Sequence, residues 1–174
     1  MTLWSRHVDR WKTCTKCSYH SCRQSVVLGK GSFPCDVLFV GDSPGASEDV
    51  LGFPFMGPAG KLLDGIILQA WCDLEVEISW AFTNLVACIP SDDGKNGEPS
   101  TESVSSCKER LEEFILLCKP KRIVAVGKLA EKHLKDSLTI AIVHPAAILR
   151  ADISQQGLAV KQCVLALRDL VGNL

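Results

Sequence analysis

The sequence predicts an α/β fold, a three-layer α/β/α sandwich with a central four-stranded parallel sheet. Three observations carry that expectation. Short continuous apolar runs bounded by glycine or proline read as buried strands. Segments with helical apolar periodicity fall between them. The two kinds alternate along the chain, which for a parallel sheet places helices on both faces. The 174 residues are 47 % hydrophobic and 22 % charged, the balance of a globular chain rather than a disordered one. That length fits one domain over residues 1–174, large enough to bury about two-thirds or more of the unfolded surface.

Taken in order, residues 3–13 suit a first helix with Leu3, Val8 and Trp11 on its apolar side. A turn rich in cysteine follows, with Cys14, Cys17 and Cys22. Residues 36–41, Asp-Val-Leu-Phe-Val-Gly, form the first buried strand. A Gly/Pro loop runs from Gly41 to Gly60, then a helix over about 61–71 sets Leu62, Leu63, Ile66, Ile67 and Ala70 on one face. The second strand covers 79–87 and ends in Cys88-Ile89-Pro90. Residues 91–101 are polar and carry glycine and proline, so they read as an exposed loop. Ser100 or Thr101 can cap a helix to about residue 118, which Pro120 terminates. Residues 122–127 make the third strand, 128–135 a short helix, 138–143 the fourth strand and 154–171 the last helix.

Open α/β sheets bind ligands outside the carboxyl ends of their strands. The unusual residues of this chain fall there: Gly41-Asp42 after the first strand, Thr83-Asn84 at the second, His144-Pro145 after the fourth. The net charge of −1 supplies no general attraction to nucleic acid, so any such contact must come from local cations or from backbone N–H groups. No apolar stretch is long enough to span a membrane. The first twelve residues carry Arg6, His7, Asp9, Arg10 and Lys12 and lack the apolar run of an export signal, which predicts a cytoplasmic protein. Nine cysteines in that setting favour metal or cluster binding over a disulfide scaffold. Cys14 and Cys17 form a C-x-x-C pair, and Cys88 and Cys107 can join them around a [4Fe–4S] cluster or a tetrahedral zinc ion. Cys22 either replaces Cys17 as a ligand or pairs with nothing. Cys35, Cys72, Cys118 and Cys163 lie in apolar segments and read as core residues.

Together the motifs resemble the family 4 uracil-DNA glycosylases. The string Gly41-Asp-Ser-Pro-Gly-Ala-Ser-Glu-Asp-Val-Leu-Gly-Phe-Pro-Phe-Met-Gly-Pro-Ala-Gly-Lys-Leu-Leu-Asp64 is similar to the first motif of that family. So is what precedes it: Cys14-x-x-Cys17, Arg23 and Val26-Val-Leu-Gly-Lys-Gly31. Thr83-Asn84-Leu-Val-Ala-Cys88-Ile-Pro90 resembles the second, and His144-Pro-Ala-Ala-Ile-Leu-Arg150 the last. Cys107, and then 122–127, stand in the family's order between them. The resemblance runs from about residue 14 to residue 150. It implies a four-stranded parallel sheet between helices, DNA as partner, and a structural [4Fe–4S] cluster held by Cys14, Cys17, Cys88 and Cys107, with zinc as the alternative.

The implied chemistry is hydrolysis of the N-glycosidic bond of a base flipped out of the DNA. Phe55 would stack on that base, Phe53 being the less favoured candidate. Asn84 would read the pyrimidine edge, since an amide offers both a donor and an acceptor. His144 would donate a hydrogen bond to the base O2 as negative charge grows there. Gly41, Asp42 and Ser43 would supply backbone N–H groups, and Asp42 would position the water or offset cationic charge on the sugar. Glu48 and Asp49 are weaker candidates, read by default as solvated loop carboxylates. Arg150 and Lys61 would hold phosphates. Ile148 and Leu149 would lie in a loop that wedges into the base stack. No lysine stands at a nucleophile position, so the expectation is a monofunctional enzyme, monomeric, leaving an abasic site.

The chain departs from the family's Glu-Ala in the first motif, where it has Asp42-Ser43. Asp is shorter by one methylene, which shifts the carboxylate and opens room for a 5-substituted pyrimidine. That room motivates one alternative, a glycosylase for a 5-modified pyrimidine in foreign DNA; a second, of another class, is a catalytically silent DNA-binding module of the same fold.

Overall fold

A computed structural model describes residues 2–92 and 95–172. Asp93 and Gly94, inside the expected 91–101 loop, lie outside the described residues. The chain runs α1 (Leu3–Trp11), a 3-10 turn (Ser18–Ser21), β1 (Lys30–Gly31), β2 (Val37–Gly41), α2 (Ala46–Leu51), α3 (Pro58–Trp71), β3 (Trp80–Asn84) and a small hairpin of β4 (Ser91–Asp92) and β5 (Lys95–Asn96). It continues with α4 (Thr101–Cys118), β6 (Arg122–Val126), α5 (Lys128–His133), β7 (Thr139–Ile142), α6 (Pro145–Arg150) and α7 (Ile153–Val171).

The main sheet has five strands in the order β1-β3-β2-β6-β7. Four of them are parallel, as expected. The fifth, β1, pairs antiparallel with β3 at the edge. A two-residue strand gives no periodicity to read, so it escapes a sequence reading. Gly31 is required in it: its φ is +117°, and a Cβ there would sit 2.4 Å from the Trp80 carbonyl oxygen.

Alternation along β2 builds the two cores. Val37 and Phe39 face one side, where they pack with Ile66, Ile67, Phe82, Val124, Val126, Cys163 and Leu167 under α3, α6 and α7. Leu38 and Val40 face the other, with Leu111, Phe114, Cys118 and Ile123 under α4. These are the three layers.

Three local differences matter for function. The Gly41–Gly60 stretch is not all loop: α2 lies within it and α3 begins at Pro58, where a proline suits the first helical turn. The second strand stops at Asn84, after which the chain turns away, Leu85 N–H donating to Gly41 O at 2.8 Å. Residues 145–150 form α6 instead of a wedge-bearing loop, and Ile148 is 2 % exposed in the core. That corrects its expected role, because an apolar side chain on the inner face of an amphipathic turn is held by packing. Leu149, 44 % exposed, remains on the surface. Cys35, Cys118 and Cys163 are buried as expected, whereas Cys72, at the end of α3, is exposed.

Candidate active site and cysteine site

A cavity of about 620 Å³ opens at the carboxyl ends of the strands. It gathers Asp42, Ser43, Phe55, Asn84, His144 and Arg150 from stretches far apart in the chain. Gly41 is behind this wall: a Cβ on it would lie 2.5 Å from Asn84 Oδ1 and 2.7 Å from Phe55 Cζ. Glycine there lets the two side chains close together. Lys61 is exposed on α3 and outside the cavity lining, and Phe53 is exposed.

Phe55 is held in a backbone conformation that a non-glycine residue rarely adopts, with φ +53°. Such strain persists only where the surroundings over-determine it. Here the Lys30 ammonium donates to Phe55 O at 3.1 Å. Glu48 Oε1 accepts from Met56 N (2.8 Å) and Gly57 N (2.7 Å), and Oε2 from Gly45 N (3.0 Å). A Cβ at Gly60 would sit within 2.1 Å of Phe55 O, so only glycine admits this close approach. The Phe55 ring packs on Phe82, centroids 5.4 Å apart. The solvated reading of Glu48 and Asp49 is therefore corrected. Both are buried, and Asp49 accepts from Gln24 N and Ser25 N. Buried carboxylates survive by taking several backbone donors.

His144 caps the start of α6, its Nδ1 accepting from Ala146 N at 3.1 Å. An accepting Nδ1 assigns the proton to Nε2. Burial, then the Arg150 charge, lower its pKa below the usual histidine value, against a smaller opposing pull from Glu48. The ring is thus a neutral N–H donor. Asp42 Oδ1 accepts from Ala130 N in the first turn of α5 at 2.9 Å. Burial raises its pKa to about 6, with the Ala130 hydrogen bond opposing and the Glu98 charge adding. Between the two sits Gly127, φ +109°, where a Cβ would press at 3.2 Å on both Asp42 Oδ2 and the His144 ring.

Sequence reasoning missed Lys30, Gly127, Lys128 and Glu98. Lys128 and the Gly97–Glu98–Pro99 segment line the cavity. A glycine closing an apolar strand was the available signal for Gly127; nothing in the sequence places Glu98 there.

At a second place Cys14, Cys17, Cys88 and Cys107 line one small cavity with Trp11, Arg23 and Arg110. Cys22 is not part of that lining. Among the described residues, no group of three or more Cys, His, Asp or Glu is set to hold a metal ion. The surroundings nonetheless suit an anionic thiolate-bound group. Arg23 Nη1 donates to Cys88 Sγ at 3.5 Å, and its Nη2 to Cys14 O at 2.7 Å. Arg110 is 1 % exposed. Its Nη1 donates to Thr83 Oγ1 at 2.7 Å, and its Nη2 to the carbonyls of Asn84 and, at 2.9 Å, Leu85. All three acceptors are neutral, and its Nε has no nitrogen or oxygen partner. The titratable groups acting on it include Cys107, whose side chain is also a hydrogen-bond partner, Cys88 and Cys14, with His7 near it as well. Burial above all, with the neighbouring Cys107 and Cys17 adding and Arg23 opposing, pushes the Cys88 thiol up to about 12, which a bound metal centre would reverse by taking the thiolate.

The chain is also similar to known proteins. The sequence pattern of the uracil DNA glycosylase superfamily matches residues 28–168. The type-4 uracil-DNA glycosylase of Pyrobaculum aerophilum is 40 % identical over 126 residues, 72 % of this chain and 61 % of that protein. That of Sulfurisphaera tokodaii is 35 % identical over 123 residues, 70 % of this chain and 53 % of that one. That of Archaeoglobus fulgidus is 31 % identical over 162 residues, 79 % of this chain and 78 % of that one. The chain thus spans little more than half the length of the first two.

Proposed function

This chain belongs to the uracil DNA glycosylase superfamily, and we propose from that premise that it is a monofunctional DNA glycosylase. It hydrolyses the N-glycosidic bond of a flipped-out uracil, or a related pyrimidine, and leaves an abasic site. The observation that carries the reading is the convergence of Phe55, Asn84 and a neutral, donating His144 on one cavity.

In this reading the base stacks on Phe55 and meets the Asn84 amide along its edge. As the bond from C1′ to the base breaks, the electron pair moves into the pyrimidine. His144 Nε2–H donates to O2 and stabilises that charge without a cationic ring. Water adds its oxygen to C1′, its proton passes to the medium, and the base leaves as the free pyrimidine after protonation. Asp42 holds the water or balances charge on the sugar. Arg150 at the cavity rim meets a phosphate, and Leu149 is the remaining candidate for the base stack. The unit is a single domain and acts as a monomer.

Cys14, Cys17, Cys88 and Cys107 hold a [4Fe–4S] cluster in this reading. When bound it supplies cross-linking between the N-terminal segment and the 88–107 segment, and takes no part in bond cleavage. Two guanidinium groups beside the thiols support an anionic thiolate-bound group there.

The test is release of base from an oligonucleotide carrying one uracil, followed by alkali to cut abasic sites. Cleavage is expected, falling about 10²–10³-fold in His144→Ala. Intact uracil DNA with cleavage of 5-hydroxymethyluracil DNA would move the assignment to modified pyrimidines. Binding with no release from either would leave the silent module.

A further inference from the structure

Arg110 stands between the two sites. It is the most deeply buried cation among the described residues, its guanidinium ties down the last residues of β3, and no carboxylate pairs with it. A lone buried cation is costly unless a counter-charge lies beside it. The groups able to supply one are the thiols of Cys107, one helical turn before it on α4, Cys88 and Cys14. The same guanidinium accounts for much of the local geometry of the base-reading segment. Thr83 Oγ1 accepts from it and donates to Leu28 O at 2.8 Å. The next two carbonyls also accept from it. The amides that follow complete the seam: Leu85 N–H donates to Gly41 O at 2.8 Å and Val86 N–H to Asp42 O at 3.2 Å.

We propose that Arg110 is a positioning residue that links the cysteine-bound cluster to the cavity: it is the cluster's buried counter-charge and, through Thr83 and the carbonyls of Asn84 and Leu85, it sets Asn84 against the Gly41–Asp42 loop. The proposal rests on the cluster reading and uses no glycosylase activity in its test. With the anionic cluster in place, the guanidinium is neutralised and keeps its three acceptors. Without that counter-charge the buried cation is drawn toward water, and the seam to Gly41 and Asp42 loosens. Asn84 is affected through its backbone, so the base edge is read less well although no cavity side chain has changed.

The experiment compares cluster-loaded wild type with Arg110→Met and Arg110→Lys. It measures iron content, cluster reduction potential and hydrogen exchange at the Leu85 and Val86 amides. Removing the charge in Arg110→Met makes the cluster harder to reduce, so its potential shifts to a more negative value. Loss of the hydrogen bonds raises exchange at those two amides by about tenfold or more. Arg110→Lys keeps the charge and loses the planar fork, so its potential stays near that of wild type while exchange still rises. An unchanged potential in Arg110→Met overturns the counter-charge, and unchanged exchange in either variant overturns the positioning role. If Arg110→Met does not fold, Arg110→Lys decides through the exchange measurement alone. A wild-type protein without iron would also overturn the proposal, whereas an inactive one with iron would count only against the glycosylase reading.

Discussion

The strand-end cavity and the cysteine site are both built from residues far apart in the chain, but they differ in how their charges are satisfied. Around the cavity, the carboxylates of Glu48, Asp49 and Asp42 accept backbone N–H groups, and Lys30 finds a carbonyl. That region is complete from within, and its shape is fixed before any substrate arrives. At the cysteine site, two guanidinium groups lie beside the thiols, burial pushes the Cys88 thiol up, and the buried Arg110 Nε has no nitrogen or oxygen partner. In the proposed reading a cluster completes that region. On that reading the contrast separates two kinds of damage: losing the cluster should cost stability, while losing a cavity side chain should cost chemistry.

The largest expected effect breaks the occupant's side of that comparison. Cys88→Ser should lower iron content and reduce stability by about 3 kcal/mol or more, because metal-site free energy is folding free energy. Iron analysis and the thermal midpoint check it. A midpoint equal to wild type, with the iron gone, would make the cysteine site as self-sufficient as the cavity and remove the contrast.

Glu48→Gln attacks the other side. One carboxylate there satisfies three backbone donors, and an amide can accept through only one of its two heavy atoms. At least one buried N–H is left facing another donor, at about 1–3 kcal/mol. The Phe55 turn should relax from its left-handed φ, so base release should fall while iron content holds. Thermal melting and single-turnover rates on the same preparation measure both. Full activity in a destabilised protein would show that the turn's strain has no part in positioning Phe55.

These two regions also differed in how legible they were. Strands β2 and β6 could be read because parallel strands buried on both faces are runs of apolar residues, β7 because its short run is apolar although it lies half exposed at the sheet edge, and α4 because Ser100 caps an amphipathic segment. Asp42, Asn84 and His144 were found through ordered motifs at strand ends and Phe55 through the Gly/Pro loop after the first of them, and the structure gathers all four around one cavity. The support behind them was not legible. Lys30 lies on a strand too short to show a pattern, and Glu48 looks like any loop carboxylate until α2 is seen to fold it inward. Arg110 left a trace: a charge set into the apolar face of α4, one turn after Cys107 and beside Leu111. An arginine in a buried stripe asks for a counter-charge, and the cysteines were the candidates at hand.

The smallest effect sharpens the comparison within the cavity itself, where Asp42 and His144 have shifts of opposite consequence. Asp42 has its folded pKa raised to about 6 from 3.8, chiefly by burial. The folded state therefore holds that proton more tightly than the unfolded chain, and Asp42's contribution to stability falls as pH rises through that window. His144 has its pKa lowered by burial, so its contribution is lost as pH drops below the usual histidine value. The proposed reaction needs His144 neutral and Asp42 ionised. Because the histidine shift is downward, Asp42 should set the acid limb. Single-turnover base release should then rise about tenfold per pH unit up to about pH 6 and level off above it. In Asp42→Asn the plateau should drop and that limb should vanish, leaving only a weaker one at lower pH from His144. A limb near pH 6 that survives in Asp42→Asn would assign it to another group and leave Asp42 with only its hydrogen bond to the Ala130 amide.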